Sequence, residues 1–143
     1  MCTSNKAKSL LSVSLAACVS AIAFQSPTKA ESLAKKLSLL SKIRNQSLPV
    51  MLNRDIRVDS TFFDSGIFGY NYTLVNHSAA QIDGSQLVRS LRPVMVDDFC
   101  NNYSARFFRE NKVSMKVKFY DNNRNLIGRI KVSSSKCRQI PEI

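Results

Sequence analysis

Apolar and polar residues alternate along IFGYNYTLVN, which is the clearest pattern in the chain. Phe68, Tyr70, Tyr72 and Leu74 fall on one side of this stretch, and small or polar residues fall on the other. Because side chains in a strand point alternately to opposite faces, the stretch predicts a strand with one buried and one open face. The preceding stretch RDIRVDSTFF alternates over a shorter length. The intervening DSG is typical of a turn, so these two strands are predicted to form a hairpin.

A second alternating region, VSMKVKFYDNNRNLIGRIKV, covers residues 113–132. Its two halves alternate on either side of DNNRN, whose residues tolerate left-handed backbone geometry. We therefore predict a second hairpin. Its apolar side is formed by Val113, Met115, Val117 and Phe119 on the first strand, with Leu126, Gly128, Ile130 and Val132 on the second.

The stretch ESLAKKLSLLSKIRNQSLP has the helical period instead. Leu33, Leu37, Leu40 and Ile43 are spaced four, three and three residues apart and form one apolar stripe. Pro49 ends the segment. The stripe packs either on the protein's own domain or on a partner.

A second helix is predicted over QIDGSQLVRSLRPVMVDDFC. Asp83 is placed to cap it, with Gln86 at the capping-box position. Pro93 interrupts the pattern and either kinks the helix or starts a second helical piece. Residues 104–110 add a short helical turn. The buried stripe is formed by Leu87, Leu91 and Met95.

The predicted order of elements is therefore α-β-β-α-β-β. Helices that lie on one face of an antiparallel sheet give a two-layer α+β domain.

Residues 1–30 are typical of an export signal. Two lysines precede a 15-residue run, Leu10–Phe24, that is mostly apolar and too short for a membrane span of about 20 residues. We predict cleavage after Ala30, with Ala23 as the second choice. The alternative is that LAAC, ending at Cys18, is a lipobox, which would make the protein an outer-membrane lipoprotein. The apolar residues that follow Cys18 favour its loss with the signal.

Residues 31–143 then form a single periplasmic or secreted domain, whose size suits one hydrophobic core. The whole chain has 21 Lys and Arg, and three of them precede residue 31, which leaves 18 against 10 acidic residues and a formal charge of +8. A basic balance suits nucleic acid, anionic lipid or an acidic protein. Export argues against nucleic acid, and membrane contact is expected only if Cys18 is lipidated.

Cys100 and Cys137 are the two cysteines outside the signal. An even number of cysteines in a small exported domain predicts a disulfide. This bond would join the end of the second helix to the segment after the last strand.

The outward side of the second hairpin carries Lys116 and Lys118 on one strand and Arg129 and Lys131 on its neighbour. Like charges across a ladder destabilise a sheet, so these four residues with the adjacent Tyr120 predict a surface for an anionic partner. The alternative is an ordinary solvated sheet face, where lysines also discourage aggregation.

The sequence gives little indication of an enzyme. It lacks the spacings of serine hydrolases, P-loops, zinc proteases and EF-hands. His77 follows a predicted strand in a loop, and the adjacent Asp97 and Asp98 would diverge by about 100° on a helix. We therefore predict no catalytic residues, no cofactor and no metal.

Several pieces together resemble a family of small exported bacterial proteins: SLPVML, VDSTFF, YNYTLVN, QIDGSQLVRSLRPVMVDDFC, VKFYD and IKVSSSKC. The resemblance covers residues 48–137, and the layout is similar to that of the beta-type pilotins of type II secretion systems. It implies a helix-on-sheet fold with a disulfide at Cys100 and Cys137. It also implies a role in escorting secretin subunits by binding a secretin helix. Only the disulfide is carried over to particular residues.

The resulting hypothesis is a non-enzymatic periplasmic binding or assembly protein. It would capture a segment of an envelope protein, such as a secretin, in a groove between helix and sheet. The alternative is a secreted inhibitor or effector that acts on another protein.

Overall fold

The computed structural model describes residues 26–137, which form three helices and five strands. The predicted signal segment lies outside these residues except for its last five, and Cys18 lies outside them. The helices are α1 (Lys29–Asn45), α2 (Gly84–Asn101) and α3 (Arg106–Glu110), and the strands are β1 (Val50–Met51), β2 (Ile56–Asp64), β3 (Ile67–Leu74), β4 (Ser114–Tyr120) and β5 (Leu126–Val132). The α+β class is confirmed. The predicted order omitted β1, which is only two residues long, and gave α3 as a helical turn.

The sheet has the order β1-β2-β3-β4-β5, and it is mixed rather than antiparallel as predicted. β2 and β3 form the expected hairpin, as do β4 and β5. The central pair, β3 and β4, is parallel, with Tyr70 opposite Val117. The connection between them contains α2 and α3. It returns the chain to the end of the sheet at which β3 begins, so that β4 can run in the same direction as β3.

Helix α1 packs on β2 and β3 through only part of its predicted stripe. Leu37 is buried, and Leu33 and Leu40 pack beside it. Ile43, the last predicted member, is 53% exposed. Ser41 and Asn45 continue the four-residue spacing from Leu37, so they face the sheet in its place.

Polar contacts hold this end of α1 to β2. The Thr61 hydroxyl donates to the Ser41 hydroxyl over 3.1 Å. The Thr61 amide donates to Asn45 Oδ1 over 2.7 Å, and Asn45 Nδ2 donates back to the Thr61 carbonyl over 3.0 Å. These hydrogen bonds fix where the C-terminal turn of α1 lies over the sheet.

Helix α2 is continuous through Pro93, so a second helical piece does not form there. Asp83 caps the helix as predicted and accepts hydrogen bonds from the amides of Ser85 and Gln86. Pro93 is exposed, and its ring lies on the outer side of the helix. Three residues of the predicted stripe pack against the core, namely Leu87, Leu91 and Met95.

The core consists of two clusters on the same face of the sheet. The larger lies under α2 and includes Phe99, Phe119 and Ile130. The smaller lies under α1 and is built on Leu37, Phe68 and Val113. Tyr70 and Phe108 contact both clusters. The opposite face of the sheet carries neither helix among the described residues.

The disulfide between Cys100 and Cys137 is present, with a Cα–Cα distance of 5.3 Å. It joins the C-terminal turn of α2 to the turn that follows β5. The prediction from the cysteine count is confirmed.

Candidate functional site

A groove runs between α1 and the C-terminal half of α2, over the middle of the sheet. Two cavities of about 280 and 240 Å³ meet at Arg44, Tyr70 and Tyr72. The first continues toward β1, and the second continues toward α2 and α3. The tyrosines form the floor because β3, the central strand, points alternate side chains into the space between the helices. The sequence placed these side chains on the buried face but gave no sign that the helices leave them uncovered.

The two tyrosine rings lie 6.1 Å apart between centroids, in a tilted arrangement. Arg44 Nη1 donates a hydrogen bond to the Tyr70 hydroxyl over 3.2 Å. Burial raises the pKa of Tyr70 above its ordinary value, and the nearby Arg44 partly opposes this shift. Burial also raises the pKa of Tyr72, with further contributions from Tyr70 and from the carboxylate of Asp98. Both hydroxyls therefore stay protonated at neutral pH and can donate hydrogen bonds.

The ends of the groove differ in character. The β1 end is apolar at the surface: Val50 is 48% exposed and Leu52 is 56% exposed. The other end is lined by Met95, Phe108 and Met115, with Asp98 at the rim. Arg44 and Asp98 thus supply opposite charges on the two sides of an otherwise apolar channel. Such a channel suits a protein segment with apolar side chains on one face.

The open face of the sheet carries all five residues that were predicted to bind an anionic partner. Lys116 lies directly opposite Lys131, and Lys118 lies directly opposite Arg129. Tyr120 is on the same face, and it lines a cavity of about 390 Å³. The structure brings the five residues onto one surface, and their role in binding stays a prediction.

Three residues that the sequence analysis did not single out extend this basic face. Arg57 lies on β2, and its Nε donates to Asp59 Oδ1 over 2.5 Å. Arg124, in the β4–β5 turn, lines the same cavity as Arg57 and Tyr120. The phenyl ring of Phe62 lies under Lys118, whose Nζ is 4.7 Å from the ring centroid. Arg57 and Phe62 could have been found from the alternation in β2, but a bulge near Asp59 interrupts that alternation.

Asp121 is a further buried polar residue that the sequence analysis treated only as part of a turn. Its carboxylate accepts hydrogen bonds from the amides of Ala79, Asn123 and Asn125 and from the Asn125 side chain. It joins the segment after β3 to the β4–β5 turn. Burial raises the pKa of Asp121, but these hydrogen bonds outweigh it, so the pKa lies below its ordinary value. Its partners are all structural, so we assign it no part in binding.

Within residues 26–137, no group of three or more His, Cys, Asp and Glu side chains could hold a metal ion. Asp97 and Asp98 are both exposed, and each accepts a hydrogen bond from the asparagine four residues later. His77 lies in the loop after β3, where its carbonyl accepts a hydrogen bond from the Asn122 amide. These residues are not brought together in one site.

Three solved structures are similar in fold to this chain. A Pseudomonas aeruginosa protein described as secreted is 17% identical, with a TM-score of 0.63, over 75% of this chain and 94% of that one. The pilotin EpsS of the Vibrio vulnificus type 2 secretion system is 15% identical, with a TM-score of 0.59, over 76% and 94%. The type II secretion pilotin AspS of Vibrio cholerae is 14% identical, with a TM-score of 0.53, over 77% and 100%. The suspected likeness to pilotins is thus confirmed at the level of the fold.

No protein-family model and no curated protein sequence matches the chain. Of the helices described in residues 26–137, none is both long and apolar enough to cross a membrane.

Proposed function

We propose that this protein is a non-enzymatic, pilotin-like factor that captures an apolar segment of a partner protein in the bacterial envelope. The observation that carries the proposal is the groove floored by Tyr70 and Tyr72. The likeness to EpsS and AspS supports it, because both are pilotins with a similar fold. The Cys100–Cys137 disulfide supports a location outside the cytosol, where such bonds persist.

The lining of the groove sets the chemistry of the partner segment. Apolar side chains of the partner would pack on the tyrosine rings and on Met95 and Phe108. Burying them displaces water from apolar surface, which stabilises the complex by about 25 cal/mol per Å² before the costs of association. Arg44 and Asp98, on opposite sides, would favour a segment with an acidic group near α1 and a basic group near α2. By the pilotin likeness, a secretin subunit is the first candidate for this partner.

Site-specific photo-crosslinking in the cell tests the proposal directly. A photoreactive residue replaces Leu52, which is 56% exposed beside the groove, or Leu39, which is 57% exposed on α1 outside it. We expect a crosslink from position 52 to a secretin or another secretion component, identified by mass spectrometry, and none from position 39. Equal crosslinking from both positions, or no envelope protein from position 52, would contradict the proposal.

A matched pair of substitutions then measures the contribution of the groove to affinity. Leu52→Asp places a charge at the apolar mouth, and Leu39→Asp places the same charge at a similarly exposed site elsewhere. With the purified partner identified by crosslinking, we expect Leu52→Asp to weaken binding at least tenfold and Leu39→Asp to change it less than twofold. Both positions are exposed, so the thermal midpoint should change little in either variant.

Cell fractionation separates this proposal from the alternative. A factor that acts on envelope components should be recovered with the envelope or periplasm. Recovery in the culture medium would instead favour a secreted inhibitor or effector, and a groove crosslink to a protein of another cell would identify its target.

A further inference from the structure

We infer that the open face of the sheet is a second binding surface, which docks on a membrane that contains anionic phospholipids. The surface is defined by Lys116 and Lys118 on β4 and by Arg129 and Lys131 on β5. It lies on the opposite side of the sheet from the groove. The sequence predicts membrane contact only through a lipidated Cys18, whereas this face provides a route that does not require lipidation.

The four basic residues form a compact block. Residues directly opposite on neighbouring strands have Cβ atoms about 5 Å apart, and residues two positions apart along a strand are separated by about 7 Å. Lys116 pairs with Lys131 in one row, and Lys118 pairs with Arg129 in the next. Arg129 and Lys131 are exposed, whereas Lys116 and Lys118 are half-buried. The four positive charges are therefore close enough to repel each other, and a bound anion would relieve this repulsion.

Acidic residues do not neutralise this block. Strands β4 and β5 contain no Asp or Glu. Of the acidic residues of β2 on this face, Asp59 is paired with Arg57 and also accepts from Thr73. Asp64 accepts from the Ser65 hydroxyl at the end of β2 and forms no ion pair with the block. In the described residues, no ion pair involves any of the four basic residues. Their charges are therefore available to an external anion.

The shape of the face favours a membrane over an acidic protein segment. Side chains on a sheet stand roughly perpendicular to it, so Lys116, Arg129 and Lys131 project from an open face rather than into a channel. The Lys118 ammonium lies over the Phe62 ring on the same face. The described cavity on this face, lined by Arg57, Tyr120 and Arg124, lies at one end and not over the block. An open array of cations is complementary to a surface with many phosphates, whereas a single segment is better held in a groove. Tyr120 and Phe62 add amphipathic and apolar area of the kind found at lipid headgroups.

Binding of the protein from which the predicted export signal has been removed to vesicles tests this inference. The probes are vesicles of 30% phosphatidylglycerol in phosphatidylcholine, and vesicles of phosphatidylcholine alone. Each Lys or Arg at an anionic surface strengthens binding by about fivefold. Lys116→Glu changes the charge by two units, so we expect about 25-fold weaker binding to the anionic vesicles. High salt should weaken wild-type binding in the same direction.

Lys116→Glu also separates an effect on membrane binding from an effect on the stability of the fold. The new carboxylate would lie directly opposite Lys131 and replace a like-charge pair by an opposite-charge pair. Such pairs stabilise a sheet. The thermal midpoint should therefore be unchanged or higher while membrane binding falls. A second variant, Arg129→Gln, removes one exposed charge and should weaken binding about fivefold.

The matched control is Lys36→Glu, which makes the same charge change on the exposed side of α1. It should alter vesicle binding less than threefold at physiological salt, because exposed charges are screened within about 8 Å. An equal loss in Lys36→Glu and Lys116→Glu would mean that only net charge matters and would overturn the inference. So would wild-type protein that binds both kinds of vesicle equally. A third outcome would also overturn the inference: the protein binds a poly-glutamate peptide through Lys116 but does not bind anionic vesicles. The face would then be assigned to an acidic protein partner.

Discussion

The guanidinium of Arg44, in the last turn of α1, donates a hydrogen bond over 3.2 Å to the hydroxyl of Tyr70 on the central strand. This contact joins a wall of the groove to its floor. It also places a positive charge beside the Tyr70 hydroxyl. Burial raises the pKa of Tyr70, and the charge of Arg44 partly opposes this shift.

Arg44→Ala should therefore raise the pKa of Tyr70 further, because burial remains and the favourable charge is removed. The measurement is a spectrophotometric titration of tyrosine absorbance at alkaline pH, with Tyr70→Phe to assign the signal. Since both groove tyrosines have pKa values raised by folding, their contribution to stability is full below about pH 10 and is lost as the pH rises through the folded values. Lys42→Ala, an exposed change on the same helix, is the control and should leave the titration unchanged. An unshifted Tyr70 in Arg44→Ala would mean that the two groups do not interact in solution.

The disulfide should account for a large part of the stability. Replacing Cys100 and Cys137 by Ser removes a link across a sequence separation of 37 residues. The chain-entropy model then predicts a loss of about 4 kcal/mol in the free energy of unfolding. Urea denaturation of the oxidised protein and of the double Ser variant measures the difference. A loss below about 1 kcal/mol would show that the bond does not restrict the unfolded chain as the model assumes.

Asp121 should make stability depend on pH in the acid range. Its folded pKa lies below the ordinary value, so its contribution is present above about pH 4 and is lost as the pH falls through the folded value. Asp121→Asn should lower the thermal midpoint at pH 7 and flatten its decline below about pH 4. Asp97→Asn, at an exposed position on α2, is the control for the loss of one charge. If Asp121→Asn left both the midpoint and its acid dependence unchanged, the carboxylate would not be holding the two loops together.

Gly84, the first residue of α2, should not tolerate a side chain even though alanine favours helices. A Cβ at this position would lie 2.2 Å from the carbonyl oxygen of Ile127 on β5, so backbone would have to move. We expect Gly84→Ala to lower the free energy of unfolding by about 1–3 kcal/mol, which exceeds a helix-propensity gain of up to about 1 kcal/mol. Ser90→Ala, on the exposed side of the same helix, should change it by less than about 0.5 kcal/mol. A neutral or stabilising Gly84→Ala would mean that α2 and β5 are not in close contact at this point.

Local patterns predicted the elements of this fold better than their arrangement. Alternation found the two hairpins, and Asp83 marked the start of α2, because these signals depend on residues close together in the sequence. The parallel pairing of β3 with β4 depends on the path of a long connection. β1 is too short to show alternation. In the β4–β5 turn, the left-handed residue is Arg124 rather than one of its asparagine neighbours.

The two candidate surfaces also differed in whether the sequence could predict them. The basic face could be predicted because its residues alternate within one hairpin. The groove could not, since it arises from the gap that α1 and α2 leave over Tyr70 and Tyr72. Ser41 contributes to that arrangement: its hydrogen bond with Thr61 replaces an apolar contact at the position where the sequence suggested Ile43. A polar contact within a buried stripe is not visible from periodicity alone.

The two core clusters differ in size, and this has a consequence for motion. The part under α1 rests on three buried side chains, Leu37, Phe68 and Val113, whereas the part under α2 is larger and is closed by the disulfide. Amide hydrogens of α1 should therefore exchange with solvent through local opening more readily than those of α2. The helix that forms one wall of the groove is then expected to open more readily than the helix that forms the other. An occupant that contacts both would slow exchange in α1 most, and its affinity would include the free energy of holding that helix in place.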